Sequence, residues 1–470
     1  MQEDLIKFSI NYLQENKASY AEARLIEVNG HSFILKNGIL QASSIESISG
    51  IGIRFLINNT QGFLSTNILN KNSLKKVING SINLTKSSSK IGEKITFTKE
   101  SAHKKKYKVS QKIKLQNLSP IEKIKLLQDT YKSLQQSKVK IPNSFLSLSD
   151  NTTHQLFLNS EGSRIESEVP RILFNHIITV LANNKSSQRY WEQSGSGGYE
   201  MTKAWNMHES LANEAKALEK NLKQGVKVKK GKQNLVVSPE ITGIMVHESA
   251  GHPTEADRIY GREAAQAGES FVEKNSVGKR IGSNQVTIVD DPTIKNSAGF
   301  YLFDDEGVKA RRKYLYKNGL ITEFLHNRET ASHMKLKSNG SSRSCSFDRE
   351  PIVRMSNTFV IPSKTSEQEL IKEAKNGIYL KSYTEWNIDD KRMNQKYVGA
   401  EAYLIENGEI TKPVFHPTLE ITTPRLWSSV NLVANNLSYS SGQCGKGDPM
   451  QGIPVWFGGP SMLIKNVHIY

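Results

Sequence analysis

Apolar residues recur along this chain with two different periods, and the switching between them predicts a mixed α+β fold. Residues 2–16 put Leu5, Ile6, Phe8, Ile10 and Leu13 on one face of a helix. Strand-like runs follow at 21–28, 32–35 and 51–57, with Asn37-Gly38 as a tight hairpin signal. Helical spacing returns over 72–88 and 119–137. The second of these opens Ser119-Pro120, a capping residue followed by a first-turn proline. Strands are expected at 144–148, 155–158 and 164–181, then a helix over 203–223. A basic stretch punctuated by glycine, 225–232, reads as a connection between halves. The division predicted is an N-terminal α+β domain at 1–230 and a C-terminal domain at 231–470 that carries the metal chemistry argued below. The C-terminal half opens with a strand at 234–237 and a short helix. Beyond 280 its runs are strand-like, at 285–289, 320–326, 356–361 and 400–405, with hairpin turns at Asn318-Gly319 and Asn407-Gly408.

Composition narrows the class. Hydrophobic residues make up 37% and charged residues 23% of 470, a globular balance with room for two cores. No run reaches the roughly 18 apolar residues of a membrane helix. The longest candidate, 171–182, is broken by Asn175 and His176. The first residues lack the basic-then-apolar layout of a secretory signal, so a cytoplasmic protein is expected. Two cysteines, Cys345 and Cys444, make no disulfide framework and fit a reducing compartment. The net charge is +17, and residues 71–115 hold 13 lysines against Glu93 and Glu100. A nucleic-acid surface is one reading of that segment. It has no arginine and no recognised nucleic-acid motif, so a solvated lysine-rich surface is favoured, with loose order near 87–89 and 103–107.

The chemistry concentrates where Ser238 to His252 reads SPEITGIMVHESAGH. Ser238 is a good N-cap, Pro239 suits the first helical position, and Glu240 complements the helix dipole. Ile241, Ile244, Met245 and Val246 make the helix apolar enough to be buried. Buried His247, Glu248 and His252 are costly unless paired or bound to a metal. Zinc accepts imidazole and thiolate, and a catalytic site uses three protein ligands plus water. Glu248 follows a ligand directly and can take a proton from that water. The spacing departs from the common HExxH pattern. Histidines five apart on a regular helix are about 140° apart, too far for one ion. The helix must bend, bulge or end between them, which Gly251 makes feasible. For a third ligand the sequence offers Cys444, in a glycine-rich segment expected to be a loop, or the less distinctive Cys345. Glu255 and Asp257 are rival carboxylates just past His252.

Several separate blocks resemble a known family in the same order: HESAGHPTEAD at 247–257, GIGIRFLINNTQGFLST at 50–66 and LHNRETAS at 325–332. Further matching blocks are PIVRMSNTFV at 351–360, GAEAYLIENGEITKPV at 399–414 and SGQCGKGDPMQGIPVWFGGPSMLI at 441–464. Over nearly its whole length the chain resembles the TldD/PmbA family (peptidase family U62), on the metal-bearing TldD side. That resemblance implies a two-domain α+β fold and zinc held by His247, His252 and Cys444, with Glu248 as the catalytic glutamate. It also implies a dimer, either with itself or with a PmbA-like sister subunit that lacks HExxxH. Peptides or unfolded polypeptides are the implied substrates, bound extended. The expectation is therefore a zinc-dependent metallopeptidase. The alternative is a regulatory or nucleic-acid-associated binding protein with a structural zinc.

The remaining candidates read as structural. Asp290-Asp291 and Asp304-Asp305 fit strand-end turns as well as hard-metal sites. His326, Arg328 and Glu329 read as structural ion-pair residues before substrate-orienting ones. His208, His333, His416 and His468 read as ordinary histidines, and Gly458-Gly459 as a turn.

Overall fold

In a computed structural model, which describes residues 2–262 and 268–470, the N-terminal runs merge into unusually long strands. Runs 21–28 and 32–35 are one strand, Tyr20–Lys36. It pairs antiparallel with Ile39–Ile57 on one side and Asn143–Asn159 on the other. Arg164–Ala182 and Lys185–Ser196 extend the sheet beyond Asn143–Asn159, and Thr60–Thr66 closes the opposite edge. The four longest have 17 to 19 residues, against an ordinary strand of about five or six.

One sheet this long supports two cores. Near one end, Leu5, Ile6 and Ile10 of helix Gln2–Glu15 and Leu74, Ile78 and Ile82 of helix Lys71–Ser88 bury Ile51, Ile53 and Phe55. Near the other, Pro120–Gln136 and Met207–Gln224 cover Phe33, Leu146, Phe174 and Ile178. The helix expected over 203–223 is broken at Asn206, whose left-handed φ of +46° separates Glu200–Trp205 from Met207–Gln224. The loose order expected at 103–107 is also corrected. Lys104–Lys108 adds a parallel strand beside Arg164–Ala182, where Glu166 and Glu168 pair with Lys106 and Lys108.

The C-terminal half holds two further multi-stranded sheets. In one, Gly377–Ile388, Gly231–Val237, Met462–Ile469, Thr418–Thr422 and Asn394–Glu406 pair in sequence. The last returns to the first, so the five strands form a closed ring. The other runs from Leu320–Ile321 through Lys313–Lys317, Ile288–Asp290, Asn357–Val360 and Gln451–Gly459 to an outer strand, Ser438–Lys446. That outer strand corrects the loop expected around Cys444. Gly458-Gly459 is strand, not turn: a Cβ at Gly459 would stand 2.4 Å from Thr242 Cγ2, so glycine lets a helix approach. The strand expected over 320–326 stops at Ile321. Leu325 leaves it to exchange hydrogen bonds with Thr254 O and Ala256 N, bracing the segment after His252.

Ion pairs join the two halves. Arg54 links Glu22 (2.9 Å) to Glu306 (2.6 Å), all three buried. Arg328 meets Glu161 at 2.9 Å and donates from Nε to Thr98 O at 2.8 Å. Glu329 pairs instead with Arg262. The Asp304 carboxylate accepts from the backbone N–H of Glu306, Val308 and Ser342, and Asp290 pairs with Lys313 at 3.0 Å. No helix among the described residues is long and apolar enough to cross a membrane.

Candidate metal centre

The helix Pro239–Val246 begins as its sequence dictates, with Ser238 Oγ accepting from Ile241 N and Pro239 in the first turn. It is apolar on every side because it lies between the ring and the second C-terminal sheet. Gly243 allows the approach: a Cβ there would touch Phe457 at 3.0 Å. At His247 the helix widens. Residues His247–Gly251 form a π-helical turn, and His252 N donates to His247 O. This five-residue hydrogen bond brings the two histidine rings edge to face, centroids 4.8 Å apart, and resolves the spacing that a regular helix forbids. A widened turn strands carbonyl groups, and side-chain donors reach three of them, two sharing one hydroxyl proton. Tyr316 Oη and Trp427 Nε1 reach Ser249 O at 3.4 and 3.3 Å, and Thr254 Oγ1 donates to Ala250 O and Gly251 O. Gly251 keeps a helical φ of −63°. What it supplies is room, since a Cβ there would sit 1.9 Å from Met355 Sδ.

Cys444 comes from the outer strand, opposite Ile453. Ligand atoms of His247, His252 and Cys444 all lie within 4.8 Å of one another, and all three residues are buried. Cys444 Sγ is 3.4 Å from His252 Nε2. Burial would raise the Cys444 thiol, but His252, His247 and Arg354 hold it well below its usual value. Burial opposes a charged His247, yet Cys444 raises its pKa. His247 Nδ1 is buried without a hydrogen-bond partner. Two imidazoles and a polarised thiol, one ring nitrogen unsatisfied, form a donor set that zinc fits. Cys345 is exposed and stands outside this group.

Glu255 and Asp257, the rival carboxylates, face away from the donors. Glu255 Oε2 receives His252 Nδ1 at 2.8 Å and Arg258 Nε at 2.7 Å, fixing the ring from behind. Burial alone would raise the Glu255 carboxyl, but Lys446, His252 and Arg258 keep it well below the usual carboxylate range. Lys446 grips Asp257 at 2.7 Å and lies 3.4 Å from Glu255. It sits two residues past Cys444, so the same face of the strand supplies both. Glu248 is buried, and its Oε2 receives Arg392 Nη1 at 2.5 Å. Arg392 holds a left-handed φ of +63°, uncommon outside glycine, and its Nε has no partner. Burial, then the charge of Glu248, drives the neighbouring Tyr397 hydroxyl well above its ordinary pKa.

Sequence reasoning missed Arg392, Lys446 and Arg354. A basic residue two positions beyond Cys444 was the one readable signal; Arg392 lies 144 positions from Glu248. His326 is buried, and that burial pulls it down to about 4.

Three family models match the chain: the PmbA/TldA metallopeptidase domain 1 at 21–85, its central domain at 113–222 and its C-terminal domain at 230–470. The match at 113–222 contains Pro120–Gln136 and most of Met207–Gln224 from one core, and that at 21–85 contains most of Lys71–Ser88 from the other. A metalloprotease of Methanocaldococcus jannaschii is 34% identical over 441 residues, 94% of each chain. A zinc metalloprotease TldD homolog of Saccharolobus solfataricus is 24% identical over 421 residues, 89% of each. Among solved structures, a candidate modulator of a DNA gyrase from Thermotoga maritima superposes with a TM-score of 0.80 at 18% identity, covering all of both chains. TldE from Thermococcus kodakarensis gives 0.74 at 16% identity, covering 99% of each. These two show the same fold. With its C-terminal 241 residues matched by one family model and a full-length relative above 30% identity, this chain belongs to the PmbA/TldD metallopeptidase family.

Proposed function

We propose that this chain is a zinc-dependent peptidase, with His247, His252 and Cys444 as ligands and Glu248 as general base. The observation that carries the reading is the buried convergence of the three donor atoms within 4.8 Å. When bound, the ion supplies Lewis acidity toward a scissile carbonyl and a water acidified toward neutrality. The protein's own groups supply the rest. Glu255 holds the proton on His252 Nδ1 and leaves Nε2, the nitrogen beside Cys444 Sγ, as the donor. The depressed thiol pKa keeps Cys444 available as thiolate. Glu248 takes the water proton on a carboxylate oxygen and passes it to the leaving amine, with Arg392 fixing that carboxylate.

Substrates are peptides or unfolded polypeptides. Ser438–Lys446 is the last strand of its sheet, and an extended peptide would add along the part of its edge that Arg354, on Cys444 O, and Ser194, on Ser441, leave free. A dimer, with itself or with a PmbA-like subunit, is the matching assembly, and the likeness to TldE supports it. Of the lysines of 71–115, Lys106 and Lys108 pair with Glu166 and Glu168 of the sheet, and the segment is read as a solvated surface.

The test joins metal analysis to peptide hydrolysis for the wild type and Glu248→Ala. Turnover should fall about 10²–10⁴-fold with metal retained. Hydrolysis undiminished by the substitution would overturn the assignment.

A further inference from the structure

Gln443 lies on the face of the outer strand opposite Cys444 and borders a cavity of about 440 Å³. The volume is within the range of small-ligand pockets. The cavity lies where the long N-terminal sheet meets the C-terminal half: Ile26 and Val28 form one wall, Phe300 and Pro454 another. Two guanidinium groups, Arg171 and Arg343, line it.

Among the described residues neither arginine touches a carboxylate, although Asp305 lies near enough to both to favour their charge. Arg171 Nε donates to Ala298 O at 3.3 Å, and Arg343 donates to Met355 O and Pro454 O at 2.7 and 3.0 Å. These acceptors are uncharged carbonyls, and no ion pair joins either arginine to a carboxylate among the described residues. Burial and the charge of Arg343 pull Arg171 down to about 10.

Four carboxylates line the wall: Glu46 is exposed, and Asp305 faces Arg24 at 3.8 Å. Asp150 binds Lys123 at 2.8 Å, and Asp305 accepts from Gln155 and Ser344 N at 2.8 and 2.7 Å. Asp304 is occupied by backbone N–H groups. Two polar atoms on the same wall are buried and unpartnered, Ser194 Oγ and Asn151 Oδ1. The first can donate; the second can only accept. The cavity therefore offers two cations and a hydroxyl for an anion, one acceptor for an N–H, and apolar walls between.

We propose that this cavity binds the C-terminal end of a short peptide, its carboxylate on Arg171 and Arg343 and a backbone N–H on Asn151. The inference rests on the peptidase reading only for its choice of ligand. A peptide end held here lies on the face of the outer strand opposite Cys444.

Calorimetric titration of full-length Glu248→Gln protein reads binding without turnover, so absent catalysis cannot imitate absent binding. The probes are N-acetyl-trialanine and its C-terminal amide. The free acid should bind about tenfold or more tighter, the scale of a charge-assisted hydrogen bond. Arg171→Gln combined with Arg343→Gln should abolish that preference, and Arg171→Lys should keep part of it. Equal affinity for acid and amide overturns the proposal. So does a preference that survives replacement of both Arg171 and Arg343 by glutamine, which would put the carboxylate elsewhere. Displacement of the acid by an equal concentration of inorganic phosphate overturns the peptide assignment. Should that combined variant fail to fold, Asn151→Ala decides: weaker binding of both probes supports the site, and unchanged binding overturns it.

Discussion

Replacing Gly251 with alanine tests whether the widened turn depends on space or on backbone freedom. The backbone at Gly251 is helical, so alanine strains no dihedral angle there. A Cβ would lie 1.9 Å from Met355 Sδ, and ordinary contact begins near 3.4 Å, so the sulfur must retreat by about 1.5 Å. Met355 is fully buried. Its backbone is tied down by Arg343 to its own carbonyl and by hydrogen bonds at Arg354 N and Ser356 N. Overpacking of this kind costs about 1–3 kcal/mol, and the helix gains back up to about 1 kcal/mol on exchanging glycine for alanine. The expected net loss lies between about 0 and 3 kcal/mol, read from urea unfolding as a lower midpoint at constant slope. Metal affinity should fall with it, because His252 follows directly. Met355→Ala alone should cost about 2–5 kcal/mol. In the double variant the new methyl enters space the methionine has left. The two effects should therefore couple by at least about 1 kcal/mol in the favourable direction. Additivity within about 0.5 kcal/mol would refute the steric account.

Glu255→Gln keeps the shape behind His252 but removes the charge, and should weaken metal binding about 10–100-fold in competition with a chromophoric chelator; an unchanged affinity would mean Glu255 does not tune the ring. Arg392→Ala should lower kcat about tenfold or more with KM little changed, because it frees the carboxylate that handles the proton; a normal kcat would exclude a positioning role. Burial pushes Glu240 up to about 7, Glu214 adding to the shift and Arg189 opposing it, from an ordinary 4.5. Between those values the folded state keeps a proton that the unfolded state releases, so stability should fall as pH rises through the window. Glu240→Gln should flatten that slope in denaturation curves taken across it, and an identical slope in both proteins would remove Glu240 as its source.

The sequence was most informative where the determinants are local. Ser238, Pro239 and the apolar run after them specify a buried helix, and the five-residue step demanded a departure from regular geometry. That this departure would be a π turn was not readable, because its stabilising donors, Tyr316 and Trp427, come from other parts of the chain. The strand bearing Cys444 was hidden for a related reason. Glycine, serine and lysine give Ser438–Lys446 little strand character of its own, and its neighbour Gln451–Gly459 imposes the conformation by antiparallel pairing. Broken periodicity split Tyr20–Lys36 into two runs, yet pairing along both edges joins them.

The charged groups joining the halves carry a consequence for how the molecule comes apart. Pulling residues 230–470 away from the rest severs Arg54 from Glu306, Arg24 from Asp305, and Arg328 from both Glu161 and Thr98 in a single event. Melting one half alone would leave these charges unpaired in the other, so the two are expected to unfold together, read as coincident transitions by probes placed in each. Cutting the chain at 230 should therefore leave Glu306, Asp305 and Arg328 of the C-terminal half without their partners from the long sheet.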